Sequence, residues 1–158
     1  MLYHGKYALG DGPASAQSTG RSFVGRVSPS ADDHVEVAFA PHLQRYGHFT
    51  VSDDPGLLVS DGYAEFPDLA PHAGDPAAVD GYGEWISLLH VDWARGAHEW
   101  TPLCRHCSSW SSQDAHPHPV FNHAGTEVLF TSDREGKRAV YAVGLTDEGM
   151  PGGNGADG

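Results

Sequence analysis

Residues Ser111 to Phe121 read Ser-Ser-Gln-Asp-Ala-His-Pro-His-Pro-Val-Phe. A polar turn, Asn122-His123-Ala124-Gly125, separates them from an apolar run, Thr126-Glu127-Val128-Leu129-Phe130-Thr131. Two apolar arms around a Gly-ended turn predict paired antiparallel strands, the first opening in the His116 stretch. On such a strand side chains alternate faces, so His116 and His118 share one side and both reach a single ion. Pro117 and Pro119 remove two amide donors, which suits a first strand or an edge facing a channel. Gln113, on a loop just before, offers a neutral oxygen. Imidazole nitrogens with an amide oxygen and no thiolate suit a borderline or hard divalent cation such as manganese better than a thiolate-rich structural zinc site. With 11 histidines in the chain, the run also has a plain reading as a rigid surface strand.

Working outward, Ser132-Asp133-Arg134-Glu135-Gly136 makes a second turn and Lys137 to Val143 a third strand. Upstream, Tyr46-Gly47-His48-Phe49-Thr50-Val51 turns through Ser52-Asp53-Asp54-Pro55-Gly56 and returns as Leu57-Leu58-Val59-Ser60-Asp61-Gly62. The polar segment from Gly62 to Gly83 is a long loop. Trp85 to Val91 resumes as a strand, with Ala97 to Leu103 as its antiparallel neighbour. An insertion of this length in an otherwise tight meander is often functional. Nearer the start, Leu2 to Leu9, Arg21 to Val27 and His34 to Ala40 form a three-stranded meander, with turns at Gly10-Asp11-Gly12-Pro13 and Asp32-Asp33. No long segment carries an apolar stripe at helical spacing, and Gly (20) and Pro (11) interrupt the chain every few residues. The pattern is all-β.

The second and third units share a grammar. His48, a turn ending in Gly56, and an apolar strand ending in Ser60-Asp61 match His118, Gly125 and Ser132-Asp133. The offset from His48 to His118 is 70 residues. This exceeds the roughly 40 to 50 residues of a propeller blade by about the length of the Gly62 to Gly83 loop. Three units are expected, 1–45, 46–103 and 104–145, followed by a disordered tail over 146–158, whose apolar content is too low to pack.

Composition bounds the rest. A chain of 158 residues suffices for one domain with a core. Its 21 acidic and 9 basic residues give a formal net charge of −12 with no Lys/Arg cluster. That argues against nucleic acid or an anionic membrane as a partner. An acidic ligand would then need local positive charge, which a metal ion supplies. No basic segment followed by an apolar run opens the sequence, and nothing has transmembrane length. Two cysteines, Cys104 and Cys107, are too few for a disulfide framework, and the expected compartment is the cytoplasm. Cys104-Arg105-His106-Cys107 has the spacing of a zinc knuckle but lacks a second Cys/His pair.

His-Pro-X-Phe, a turn ending in Gly, an apolar strand, Thr-Ser-Asp-Arg-Glu-Gly and Val-Tyr resemble a blade of the TolB-type or WD40-like β-propellers. The fuller run resembles more narrowly the C-terminal blades of oligogalacturonate lyases: Leu103-Cys104-Arg105-His106, Ser108-Ser109-Trp110, Gln113, His116-Pro117-His118-Pro119 and Leu129-Phe130-Thr131-Ser132-Asp133. The resemblance implies four-stranded antiparallel blades, about three of the seven in that family's propeller. It implies a manganese ion held by Gln113, His116 and His118 with a third histidine from the preceding unit, for which His48 is the match. His4 matches the catalytic base, in the weaker context Tyr3-His4-Gly5-Lys6-Tyr7.

The activity so implied is pectin degradation: β-elimination on short oligogalacturonates, in which a base removes the C5 proton beside a carboxylate that a cation neutralises. Arg105, His106 and Trp110 are the residues expected to contact the sugar. Trp85, Trp93 and Trp100 are expected to pack between blades. About three blades leave edges and inter-blade faces bare. A C-terminal fragment of a longer product, with the family's catalytic arginine outside it, is therefore expected, or self-association that covers the edges. The alternative reading is a non-catalytic TolB-like propeller segment binding a protein or glycan, or an inactive lyase remnant. Metal identity, substrate length, activity and oligomeric state are not fixed by sequence.

Overall fold

A computed structural model describes residues 1–6, 22–27, 34–38, 47–61 and 84–145. The strands are β1 (Leu2–Lys6), β2 (Ser22–Val27), β3 (His34–Ala38), β4 (Phe49–Val51), β5 (Leu57–Ser60), β6 (Trp85–Asp92), β7 (Ala97–Arg105), β8 (Val120–Phe121), β9 (Glu127–Ser132) and β10 (Ala139–Gly144). A 3-10 turn, Gln113–Ala115, precedes β8. Among the described residues there is no α-helix, and no helix is long and apolar enough to cross a membrane. The turns expected at Gly10–Pro13 and Asp32–Asp33, the 62–83 loop and the 146–158 tail lie outside the described residues.

Three antiparallel sheets follow one another along the chain, in the orders β1-β2-β3, β4-β5-β6-β7 and β8-β9-β10. Each is a meander whose sequence neighbours are hydrogen-bonded, the arrangement of consecutive propeller blades. The second has four strands, and the first and third have three among the described residues. Pro102 lies in β7, an edge strand of the second sheet, where a missing amide donor breaks no ladder toward an outer neighbour. A bulge between Ile86 and Ser87 absorbs the irregularity there.

The second sheet is buried on both faces, which is why all four residues of β5 are buried and read as a continuous run, Leu-Leu-Val-Ser. Leu58, Leu89 and Val91 on one face meet Val24 and Val37 of the first sheet. Leu57, Val59, Ile86 and Leu88 on the other meet Val128 and Phe130 of the third. Trp93 joins the first of these cores, with Trp100 packed against it. Strand alternation sorts the core residues between the two interfaces, and burial of these branched side chains holds the sheets face to face.

Two local features aim the first strands. Tyr3 lies across Gly25, where a Cβ would sit 2.3 Å from its ring, and its hydroxyl donates to Glu36 on β3 (2.9 Å). His4 consequently faces the opposite side of the sheet, the side of Val24 and the second sheet. In the third sheet, Asn122 accepts the Thr126 N–H (2.9 Å) and Gly125 adopts a φ of 67°, closing the β8–β9 turn.

The segment around His116 departs from its predicted form. The strand begins only at Val120, because the preceding backbone sends its hydrogen bonds elsewhere. The Pro117 carbonyl accepts from Thr131 N–H (2.8 Å), the His118 N–H goes to Asp61 (3.1 Å), and the two prolines have no N–H to give. His118 has a φ of 46°, so strict alternation does not operate there.

Truncating Leu88 to Ala in the interface between the second and third sheets should cost about 2–5 kcal/mol in urea unfolding. Truncating Val140, 72% exposed on β10, should change stability by no more than about 0.5 kcal/mol.

Candidate metal centre

The first strands of the second and third sheets, β4 and β8, lie beside one another. The residues just before each strand carry the imidazoles. His48 precedes β4, and His116 and His118 precede β8. One ligand nitrogen from each of the three lies within 4.8 Å of the other two. The rings of His48 and His118 are 3.8 Å apart between centroids, and those of His116 and His118 are 5.8 Å apart and nearly parallel. The two histidines of the run therefore do converge, through a left-handed turn at His118 and not through strand alternation.

Gln113 sits on the 3-10 turn instead of a loop, and its Nε2 donates to His118 Nε2 (3.3 Å). The amide is thus already at the cluster, and rotation about its last torsion, which is broad and two-fold, would present the oxygen in its place. The turn is held by the buried Ser108 hydroxyl, which donates to the Ala115 carbonyl. Arg138 pairs with Asp114 on its outer side.

Asp61, which the sequence reading noted only as a strand end, organises the cluster. It follows β5, has no solvent exposure, and accepts three hydrogen bonds. His48 N–H donates to Oδ1 (2.6 Å), His48 Nδ1 to Oδ2 (2.8 Å), and His118 N–H to Oδ2 (3.1 Å). The signal that could have found it was the Ser-Asp pair repeated at 60–61 and 132–133, a charge closing each of two largely apolar strands.

The donor set fits a divalent cation. Two ligands bound at ~2.1 Å to one ion stand at most ~4.2 Å apart, so three nitrogens already within 4.8 Å need only a small inward shift. The Nδ1 of His116 is buried with no hydrogen-bond partner, an unfavourable state for a ring nitrogen unless something else meets it. With His48 Nδ1 committed to Asp61, its Nε2 is the nitrogen left to bind.

The bond to Asp61 raises the His48 pKa above the ordinary histidine value. Partial burial lowers that of His116, and the neighbouring His48 and His118 add to the effect. His4, on β1, packs against Phe49 with ring centroids 5.2 Å apart. Desolvation there, and then the charge on His48, lower its pKa and favour the neutral ring. A cavity of about 300 Å³ opens beside it, lined by Tyr3, His4, Phe49 and Thr50 among others.

The other expected contacts are placed differently. Trp110 adopts a φ of 56° and stands its ring 4.6 Å from His116, forming a wall of the cluster. His106 is fully buried beneath it and accepts the Ser108 N–H at Nδ1 (2.9 Å), which leaves it no open surface. Arg105 Nε lies 3.6 Å from Glu84, and its guanidinium covers Trp85 at 4.8 Å. Cys104 and Cys107 form no disulfide, and burial pushes the Cys104 thiol up to about 11.

No known family pattern and no curated protein sequence matches this chain. Among solved structures, an oligogalacturonate lyase from Vibrio parahaemolyticus matches with a TM-score of 0.58 at 22% identity, over 85% of this chain and 32% of that one. An oligogalacturonate lyase in complex with manganese matches with a TM-score of 0.48 at 18% identity, over 93% of this chain and 36% of that one. The chain thus spans about a third of the length of the solved structures it matches. The Vibrio likeness shows a shared fold.

Because the folded His48 pKa is raised above 6.5, the ring's charge adds stability through Asp61 that is fully present below that value and is lost as pH rises through the raised one, while the neutral ring keeps its Nδ1–H on the carboxylate. In chelator-treated samples, the unfolding free-energy difference between the unmodified chain and His48→Ala should be largest below pH 6.5 and shrink above it. A difference that grows with pH would contradict the assignment.

Proposed function

We propose that this chain carries the metal-binding part of a divalent-cation-dependent lyase that cleaves short oligogalacturonates by β-elimination. The observation that carries the reading is the meeting of His48, His116 and His118 within 4.8 Å, with Gln113 alongside. The fold shared with the Vibrio oligogalacturonate lyase supports the substrate class. His48, His116, His118 and the Gln113 oxygen would hold the cation, with manganese favoured by a donor set of imidazoles and an amide without thiolate. When bound, the cation supplies positive charge to the carboxylate of the uronate, which an acidic chain otherwise lacks.

The protein's own groups supply the remainder. The proton at C5 of a uronate is weakly acidic, and its removal puts negative charge on the adjacent carboxylate. His4 is the proposed base. Its lowered pKa leaves the ring neutral near pH 7, so its nitrogen has a lone pair for the C5 proton. Electrons of the C5–H bond then form the C4–C5 double bond as the C4–O glycosidic bond breaks, and the departing oxygen takes up a proton. Trp110, against His116, offers an aromatic face beside the ligands. Arg105 is paired with Glu84.

Calorimetric titration with manganese should show one site per chain, abolished in His116→Ala/His118→Ala. With the cation present, digalacturonate should yield product with the ultraviolet absorbance of a conjugated unsaturated uronate, and His4→Ala should reduce that rate by about 10²-fold or more while retaining metal. Equal manganese affinity in the double variant would overturn the ligand set. Tight binding without any unsaturated product would favour a binding module.

A further inference from the structure

Asp61 stands where the fold places an aspartate twice, directly after the inner apolar strand of a sheet and preceded by a buried serine. Asp133, its counterpart after β9, receives the Ser109 N–H (2.8 Å) and the Ser109 hydroxyl. Asp61 receives instead a histidine ring, that histidine's own N–H, and the N–H of a histidine on the next sheet. The same scaffold position thus does something at Asp61 that it does not do at Asp133.

We propose, building on the metal-site reading, that Asp61 is the positioning residue of the centre: its buried carboxylate sets the ring tautomer of His48 and the main-chain conformation of His118 together, so that ligands from two sheets face one divalent cation before it arrives. An ionised carboxylate only accepts hydrogen bonds. The His48 nitrogen facing it must therefore carry the proton, which leaves Nε2 bare as a ligand. At His118 the left-handed backbone, φ 46°, is unfavourable for any residue with a Cβ. The hydrogen bond from its N–H to Asp61 Oδ2 helps to hold it there. Both effects converge on one oxygen, so the two ligands are coupled through it.

Asparagine has the same shape and the wrong chemistry. With its NH2 toward His48 Nδ1, the ring must accept there and carry its proton on Nε2, which closes the ligand atom, and the same NH2 is set against the His118 main-chain N–H, a donor against a donor. Turned the other way, its NH2 meets the His48 main-chain N–H, a donor against a donor. The effect of Asp61→Asn therefore differs in kind from a loss of packing, and Asp133→Asn provides the matched control.

The test is carried out on the full chain. Long-range proton–nitrogen correlation spectra of the metal-free, nitrogen-labelled protein, assigned with His48→Gln and recorded at a pH where the ring is neutral, should show His48 protonated at Nδ1 alone. Asp61→Asn should shift it to the Nε2-protonated form and weaken manganese binding by about 10- to 100-fold. Asp133→Asn should leave both unchanged. An Nε2-protonated His48 in the unmodified protein would overturn the proposal without any variant having to fold. So would an Asp61→Asn chain that binds manganese within about twofold of the unmodified one. If the unmodified chain binds no manganese yet keeps His48 protonated at Nδ1, the metal reading fails while the carboxylate's hold on the ring stands.

Discussion

A carboxylate with no contact with water costs several kcal/mol unless donors surround it, and the centre of this molecule is built around one that is surrounded. Asp61 lies at the end of β5, in the sheet that is covered on both faces, and its three donors come from the starts of two successive sheets. The hydrophobic interfaces decide how the sheets face each other. Asp61 decides how their first strands meet. If the Leu57–Leu88 face did not seat the third sheet, the His118 N–H would not reach Asp61, and the three imidazoles would not share one locality.

The strand pattern was legible because burial on two faces leaves a distinctive mark. Leu57-Leu58-Val59 and Trp85 to Val91 are near-continuous apolar runs between polar turns, and both are strands close to their predicted limits. The Gln-x-x-His-x-His spacing likewise announced side chains that gather in one place. How they come together was not legible. Alternation along a strand was the natural expectation for His116 and His118. The structure instead uses two prolines without N–H groups, a positive φ and a hydrogen bond to a residue 57 positions earlier. A contact that distant leaves no periodic trace. Asp61 escaped notice for the same reason, since an aspartate before a glycine reads first as a turn residue. Arg105, His106 and Trp110, expected to contact the sugar, stand in three settings that neighbouring positions do not announce: an ion pair, a buried ring and a wall of the histidine cluster.

Charge gives the arrangement its sense. The chain carries a formal net charge of −12, and Arg138, beside the turn that carries Gln113, is paired with Asp114. A polyanionic sugar would meet an unfavourable field. Three closely set imidazoles cannot reverse that field alone, but they are suited to hold an ion that does. His4 with its lowered pKa and His48 with its raised one differ by environment: one packs on Phe49, the other is bound to a carboxylate. Neighbouring histidines driven apart in this way suit the two different roles proposed for them, a base and a ligand.

The most direct test is crystallographic: manganese-soaked crystals of the chain, with anomalous difference maps collected above the manganese absorption edge. The account predicts one strong peak bounded by the ring nitrogens of His48, His116 and His118, with the Gln113 oxygen turned toward it. A map without a peak there at saturating manganese, or with its strongest peak at other residues, would contradict it.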